Sequence, residues 1–182
     1  MTYREAMDLG EKVLKMADIA DAKVDAWLLL EMVCKIDRNF YYLHLEDDLS
    51  EEQVSGYEIA LKKRAEHIPL QYIVGETEFM GLRFKVNSSV LVPRQDTETL
   101  VEEALKVIEP GMKVLDLCTG SGCIIISILH NIVNVEGDAV DISRQALNVA
   151  IENAKLNDVV VNFERSDLFD NVTGTYDVIV SN

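Results

Sequence analysis

Val114-Leu-Asp-Leu-Cys-Thr-Gly-Ser-Gly122 runs from an apolar stretch into an acid, then into a loop with two glycines one residue apart. An Ile-rich segment with helical character, Cys123 to His130, follows directly. The order is strand, tight turn, first turn of a helix. Glycine lets the backbone approach a ligand closely and take dihedrals that a Cβ forbids. Open α/β sheets bind cofactors at the ends of their parallel strands. The stretch therefore predicts an α/β fold with a nucleotide-like cofactor against Asp116, Cys118, Thr119, Gly120 and Gly122.

The spacing narrows the cofactor. A dinucleotide fingerprint needs a third glycine, three residues after the second. Ile125 stands there, and no phosphate-binding lysine follows. An acid followed by Gly-x-Gly suits a cofactor with an amino acid end, whose ammonium needs an acceptor, and S-adenosylmethionine is one. The competing reading is a glycine turn that only packs helix on strand. A second strand, Val135 to Asp141, ends in an acid about 20 residues beyond the loop, where a carboxylate can accept from both ribose hydroxyls. Asp141 can alternatively serve a helix N-terminus, although Ser143 is placed to cap that helix, which runs to Lys155. A third strand, Val159 to Glu164, leads to Ser166-Asp167-Leu168-Phe169. Asp167, with Leu168 beside it, can meet an adenine amino group or close a capped turn. A fourth strand, Tyr176 to Ser181, brings the chain to Asn182.

The 182 residues suffice for one large domain or two small ones. With 48% apolar residues a packed core is expected. No apolar run reaches membrane-spanning length and no signal-peptide pattern opens the chain, so a cytoplasmic protein is expected. Cys34, Cys118 and Cys123 show no zinc spacing, and neither a disulfide framework nor a metal site is expected. The net charge is −15, from 32 acidic and 17 basic residues. Nucleic-acid binding relies on clustered Lys and Arg. The densest cluster, Lys62-Lys63-Arg64, reads as a helix face, so a protein or small-molecule substrate is favoured.

Residues 1–74 read as a small helical bundle. Thr2 and Glu5 form a capping-box pattern before a helix to about Met16. Asp21 is expected to cap a second helix, and Ser50 with Gln53 another that runs to about Glu66. Pro69 fits the first turn of a short helix ending at Gly75. Between Thr77 and Val86, two short strand patterns flank Gly81 as a β-hairpin. Leu91-Val-Pro-Arg-Gln-Asp-Thr-Glu98 opens an amphipathic helix to about Ile108, with Asp96 or Thr97 as the expected cap.

Three stretches, Leu91-Val-Pro-Arg-Gln-Asp-Thr-Glu98, Asp116-Leu-Cys-Thr-Gly-Ser-Gly122 and Asp177-Val-Ile-Val-Ser-Asn182, together resemble the HemK/PrmC protein-(glutamine-N5) methyltransferases. So does Lys63-Arg-Ala-Glu-His-Ile-Pro-Leu-Gln-Tyr-Ile-Val-Gly75. The Pro-Arg-x-x-Thr-Glu element joined to a helical N-domain is the specific part. The glycine loop alone would suit any class I methyltransferase. The resemblance implies methyl transfer from S-adenosyl-L-methionine to the glutamine of the Gly-Gly-Gln loop in class-1 peptide chain release factors. It implies a helical substrate-recognition domain over 1–74, a hairpin connector over 75–92 and a Rossmann-like methyltransferase domain over 93–182. It places Asn182 at the first position of an Asn-Pro-Pro-Tyr motif, as the catalytic, substrate-binding acceptor for an amide hydrogen. Arg94 is implied as a substrate-side residue, and Arg94 and Glu98 as braces of the site or of the hairpin. Cys118 stands where many relatives carry glycine. Pro-Pro-Tyr and the later strands are not in the sequence, so it looks C-terminally truncated and is expected to be inactive as it stands. Two alternatives are an adenine-N6 nucleic-acid methyltransferase, which faces the same lone-pair problem, and a noncatalytic partner-binding module. The acidic charge and the helical N-domain disfavour the first.

Overall fold

The computed structural model describes all residues, Met1–Asn182. The chain divides into two compact units, Met1–Val74 and Gly75–Asn182.

The first unit is all helix: α1 (Tyr3–Met16), α2 (Ala22–Cys34), α3 (Arg38–Leu43), α4 (Glu51–Ala65) and α5 (Leu70–Val74). Capping boxes start α1 and α4, with Thr2 and Ser50 accepting from the N–H groups of Glu5 and Gln53. In α1 the buried residues are Tyr3, Ala6, Met7, Gly10 and Leu14, a stripe at helical spacing. They pack with Leu29, Leu30, Tyr57 and Leu61. Asp21 departs from expectation: it occupies the cap position of α2 but makes no side-chain cap bond. Its ψ of 35° is far from the extended backbone that aims a capping side chain at the helix. Three of the chain's helices, α1, α4 and one in the second unit, end in the same way. A left-handed residue (Asp18, His67 or Asp158) is followed by an N–H that reaches back five residues: Ile19 to Leu14, Ile68 to Lys63, Val159 to Ala154.

The second unit opens with an antiparallel hairpin of β1 (Glu76–Phe79) and β2 (Leu82–Lys85). Its turn residues, Met80 and Gly81, both have positive φ, matching the right-handed twist of the strands. Then come α6 (Asp96–Leu105), β3 (Lys113–Leu117), α7 (Cys123–Asn131), β4 (Glu136–Asp141), α8 (Arg144–Leu156), β5 (Asn162–Arg165) and β6 (Val178–Ser181). The last four strands form one parallel sheet in the order β5-β4-β3-β6. The order reverses at β3, whose neighbours are β4 and β6, so the crevice of an α/β sheet lies at its carboxyl end. Val114, Ala139 and Val180 join Ile125, Ile126, Val101, Phe79 and Phe84 in the main core. Leu115, Leu117 and Val140 form a second cluster with Val172 and Tyr176.

Two further elements differ from expectation. β5 begins at Asn162 rather than Val159, because the Val159 N–H is still closing the end of α8. Neither Asp96 nor Thr97 caps α6; Gln95 precedes the helix without a side-chain cap bond. The helix proper ends at Leu105, although the Ile108 N–H still reaches Ala104.

Candidate functional site

The glycine loop leaves β3 between two neighbours. On the β4 side, Thr119 N–H donates to the Val140 carbonyl (2.9 Å). Gly120 N–H donates to Asp141 Oδ2 (2.9 Å), and the other carboxylate oxygen of Asp141 accepts the Ser143 N–H (2.8 Å). Ser143 itself caps α8, accepting from Ala146 (3.2 Å). Asp141 is therefore not idle, because it ties the loop to the tip of β4. Each carboxylate oxygen has two lone pairs, so each keeps one for a further donor.

From α8, the Asn153 amide reaches the loop. Its Nδ2 donates to the carbonyls of Ser121 (2.9 Å) and Lys85 (3.0 Å), and its Oδ1 accepts the Lys85 N–H (2.7 Å). Gly122 has φ +80°, and a Cβ there would stand 3.1 Å from that of Ala150 and 2.9 Å from Ile126 Cδ1. Only glycine lets α8 and α7 close on the loop this tightly.

Asp116 lies beneath the loop, wholly buried. One strand position from Leu115 and from Leu117, it points to the face that α7 covers. Its Oδ2 accepts the Thr119 hydroxyl (2.6 Å), while Oδ1 finds no hydrogen-bond partner. Burial pushes its carboxyl up to about 7, against the opposing pull of the Thr119 hydroxyl and, less, of the Ile125 N–H. Cys118 sits above it, exposed, with φ +64°. Partial enclosure and the nearby carboxylates of Asp141, Asp116 and Asp167 push its thiol up. That favours the neutral thiol over a nucleophilic thiolate. All three strand-end acids thus act on one point. Asp167 and Leu168 follow β5, where Ile142, Arg165, Ser166, Asp167, Asp170 and Asn171 line a cleft of about 390 Å³.

These features fit a nucleoside joined to an amino acid end. The loop is open where a Cβ on Gly120 would project, with nothing within 4 Å. A buried carboxylate oxygen without a partner underlies it. Acids stand at three successive strand ends.

β3 and β6 are parallel neighbours, and their last paired residues are Leu117 and Ser181. The glycine loop and Asn182 therefore leave the sheet side by side. Asn182 Nδ2 donates to Thr97 Oγ1 (2.7 Å). Glu98, the next residue, accepts the Met80 N–H of the hairpin turn (2.7 Å), so it braces the hairpin. Arg94 is exposed, and its carbonyl accepts the Thr97 N–H (3.0 Å). Sequence reasoning missed Asn153 and read Thr97 only as a cap. A signal for Asn153 existed: it is a polar residue in the otherwise apolar stripe Ala146, Leu147, Val149, Ala150 and Ala154.

In the helical unit, Arg4, Met7, Trp27, Arg38, Tyr41 and Tyr42 help line a groove of about 430 Å³. The Arg38 guanidinium lies over the Trp27 ring at 5.0 Å. No helix in the chain is long and apolar enough to cross a membrane.

Residues 5–75 match the PrmC N-terminal domain and residues 94–182 the methyltransferase small domain. A release factor glutamine methyltransferase from Koribacter versatilis is 37% identical, over 100% of this chain and 66% of its own length. One from Cereibacter sphaeroides is 43% identical over the same shares. A third, from Moorella thermoacetica, is 40% identical over 85% of this chain and 56% of that protein. The chain thus spans between about half and two thirds of these relatives. Among solved structures, Trm5b from Pyrococcus abyssi is 26% identical with a TM-score of 0.50, over 58% of this chain and 32% of that one. TYW2 from P. horikoshii, in complex with MeSAdo, shares the fold at 18% identity and the same TM-score, over 57% of this chain and 40% of that one.

Proposed function

The chain belongs to the HemK/PrmC family, and on that premise we propose that the whole protein methylates a glutamine side-chain amide. The methyl donor is S-adenosylmethionine, and the acceptor is the glutamine of the Gly-Gly-Gln loop in class-1 peptide chain release factors. The carrying observation is the pairing of β3 with β6, which sets the acid-ringed glycine loop beside the Asn182 carboxamide.

Bound S-adenosylmethionine supplies an electrophilic methyl group on a sulfonium. Asp141 keeps the Gly120 N–H in place and has lone pairs left for ribose hydroxyls. Asp167 is the acceptor for the adenine amino group, with Leu168 beside it. Asp116 acts from below, through the Thr119 hydroxyl and the loop shape that this bond maintains. Cys118 lies on the loop as a small, neutral side chain.

An amide nitrogen is a poor nucleophile because its lone pair is delocalised into the carbonyl. An acceptor for its hydrogen fixes the nitrogen in line and stabilises the positive charge that develops on it. Asn182 Oδ1 fills that role. Orientation of this kind contributes several kcal/mol, up to roughly 7–11 in ideal cases. The methylated cationic nitrogen then loses its proton readily to water, without a dedicated base.

Residues 1–74 dock the release factor, with the groove beside Trp27 and Arg38 as the contact, and residues 75–92 connect the units. Arg94, exposed next to the site, faces the protein substrate. A net charge of −15 suits a protein partner better than a polyanion. A release-factor substrate implies a cytoplasmic enzyme. The test is to incubate the full-length protein with S-adenosylmethionine and a purified release factor, then map the methyl by mass spectrometry. One methyl on the Gly-Gly-Gln glutamine is expected. No methyl, or a methyl on another residue, would sink the assignment.

A further inference from the structure

We propose that Thr97 is a positioning residue for the methyl acceptor: its hydroxyl holds the Asn182 carboxamide so that the amide oxygen, not the NH2, faces the substrate. The proposal rests on the reading of Asn182 as the acceptor group.

An asparagine side chain has two ends of opposite character, an acceptor oxygen and a donor NH2. A substrate amide with hydrogens to offer is served only by the oxygen. Were the carboxamide turned over, donor would face donor and the nitrogen would lose its alignment. In the structure the Asn182 NH2 is engaged, donating to Thr97 Oγ1 at 2.7 Å. A hydroxyl can also donate, so the contact could close with the amide reversed; the arrangement observed is the one that presents an acceptor.

Thr97 is suited to hold a fixed point. It is 7% exposed, a polar side chain enclosed at the start of α6. β-Branching restricts its χ1. The helix that carries it is pinned twice within two turns. Glu98 accepts the Met80 N–H at 2.7 Å, and Val101 packs in the core that also takes Val180 of β6. Helix and strand thereby rest on one shared core. The hydroxyl is not used as a helix cap either, since the cap position is Gln95.

The experiment compares wild-type, Thr97→Val and Thr97→Ser forms of the full-length protein, each assayed for kcat, KM for the release factor and cofactor affinity. Valine keeps the shape and removes the acceptor; serine restores the hydroxyl. Thr97→Val should lower kcat by about tenfold to a hundredfold, as misplacement of a reacting group by about 1 Å does. KM and cofactor affinity should stay within about twofold, and Thr97→Ser should recover most of kcat. Unchanged kcat in Thr97→Val would overturn the proposal. So would a Thr97→Ser form as slow as the valine form, because packing rather than the hydroxyl would then be at work. A wild-type protein that methylates no release factor would instead overturn the functional reading. The contact is read independently of turnover by NMR: the Asn182 side-chain NH2 signals should shift in Thr97→Val and return in Thr97→Ser. Signals unmoved by the valine would contradict the contact itself.

Discussion

In the helical unit one charged side chain is buried, Asp25, and it is paired with Arg64 at 2.7 Å. In the α/β unit seven polar or charged residues are buried, from Thr97 to Ser166, and two of their atoms, Asp116 Oδ1 and Ser127 Oγ, lack a partner. Left-handed residues occur in both units. Asp18, Lys35 and His67 sit at helix ends, where they close helices. In the second unit Asp158 likewise closes a helix, while Cys118 and Leu168 sit in loops that follow strands. A buried polar group costs stability unless it is satisfied. The first unit avoids that cost or offsets it, whereas the second carries more of it, with Asp116, Thr119, Ser121 and Asn153 at the glycine loop. The candidate chemical site therefore belongs to the second unit.

The largest test of this contrast is Asp116. Its carboxyl lies at about 7 in the folded chain, against the ordinary 3.8 of an unfolded one. Between those values the folded protein keeps a proton that the unfolded chain has released. Raising the pH through that window therefore favours unfolding; the group's contribution is most favourable below the lower value and flat above the upper one. Measured without cofactor, wild-type stability minus that of Asp116→Asn should fall from pH 4 to pH 7, by up to roughly 4 kcal/mol. A difference independent of pH would show that Asp116 is not held in this way.

Asn153→Ala comes next. It leaves the Lys85 N–H and the Lys85 and Ser121 carbonyls without their partner, at a cost of about 3 kcal/mol. It should also weaken cofactor binding, because Ser121 is in the loop. Denaturant unfolding and titration on the same sample check both. In the helical unit, Gly10→Ala should cost about 1–3 kcal/mol by overpacking. A Cβ there would fall 2.0 Å from the Tyr57 hydroxyl, which donates to the Ala26 carbonyl in the core. Cofactor affinity should not change; a loss there would blur the division of labour. Smallest is Thr2→Ala, which removes one half of a capping box and should lower stability by about 1 kcal/mol. Thermal melts suffice to check it.

The same contrast explains what could be read from the residues. The capping boxes at Thr2 and Ser50, the Met80-Gly81 turn, the glycine loop and the Ser143 cap were legible because each involves partners a few residues apart. The ends of α1, α4 and α8 fall within a residue of the reading, but their left-handed closures at Asp18, His67 and Asp158 were not legible, because no glycine marks them. The start of α6 was misread because the helix already begins at Asp96, and the Thr97 hydroxyl serves Asn182, 85 positions away. Asn153 bonds partners 68 and 32 positions away, which no local pattern shows. Asp141 was read as available, and it also holds Gly120. The strand-end acids were visible one by one, while their convergence on Cys118 needed the parallel register of the sheet.

Calorimetric titration of S-adenosylmethionine into the full-length protein and its Asp141→Ala form tests the central claim most directly. Asp141 both clamps the glycine loop and has lone pairs free for ribose. Its loss should weaken binding by roughly 1.5–3 kcal/mol, about tenfold to more than a hundredfold in Kd. Affinity equal to that of the wild type would contradict the account, since no cofactor could then lie against the loop that Asp141 holds.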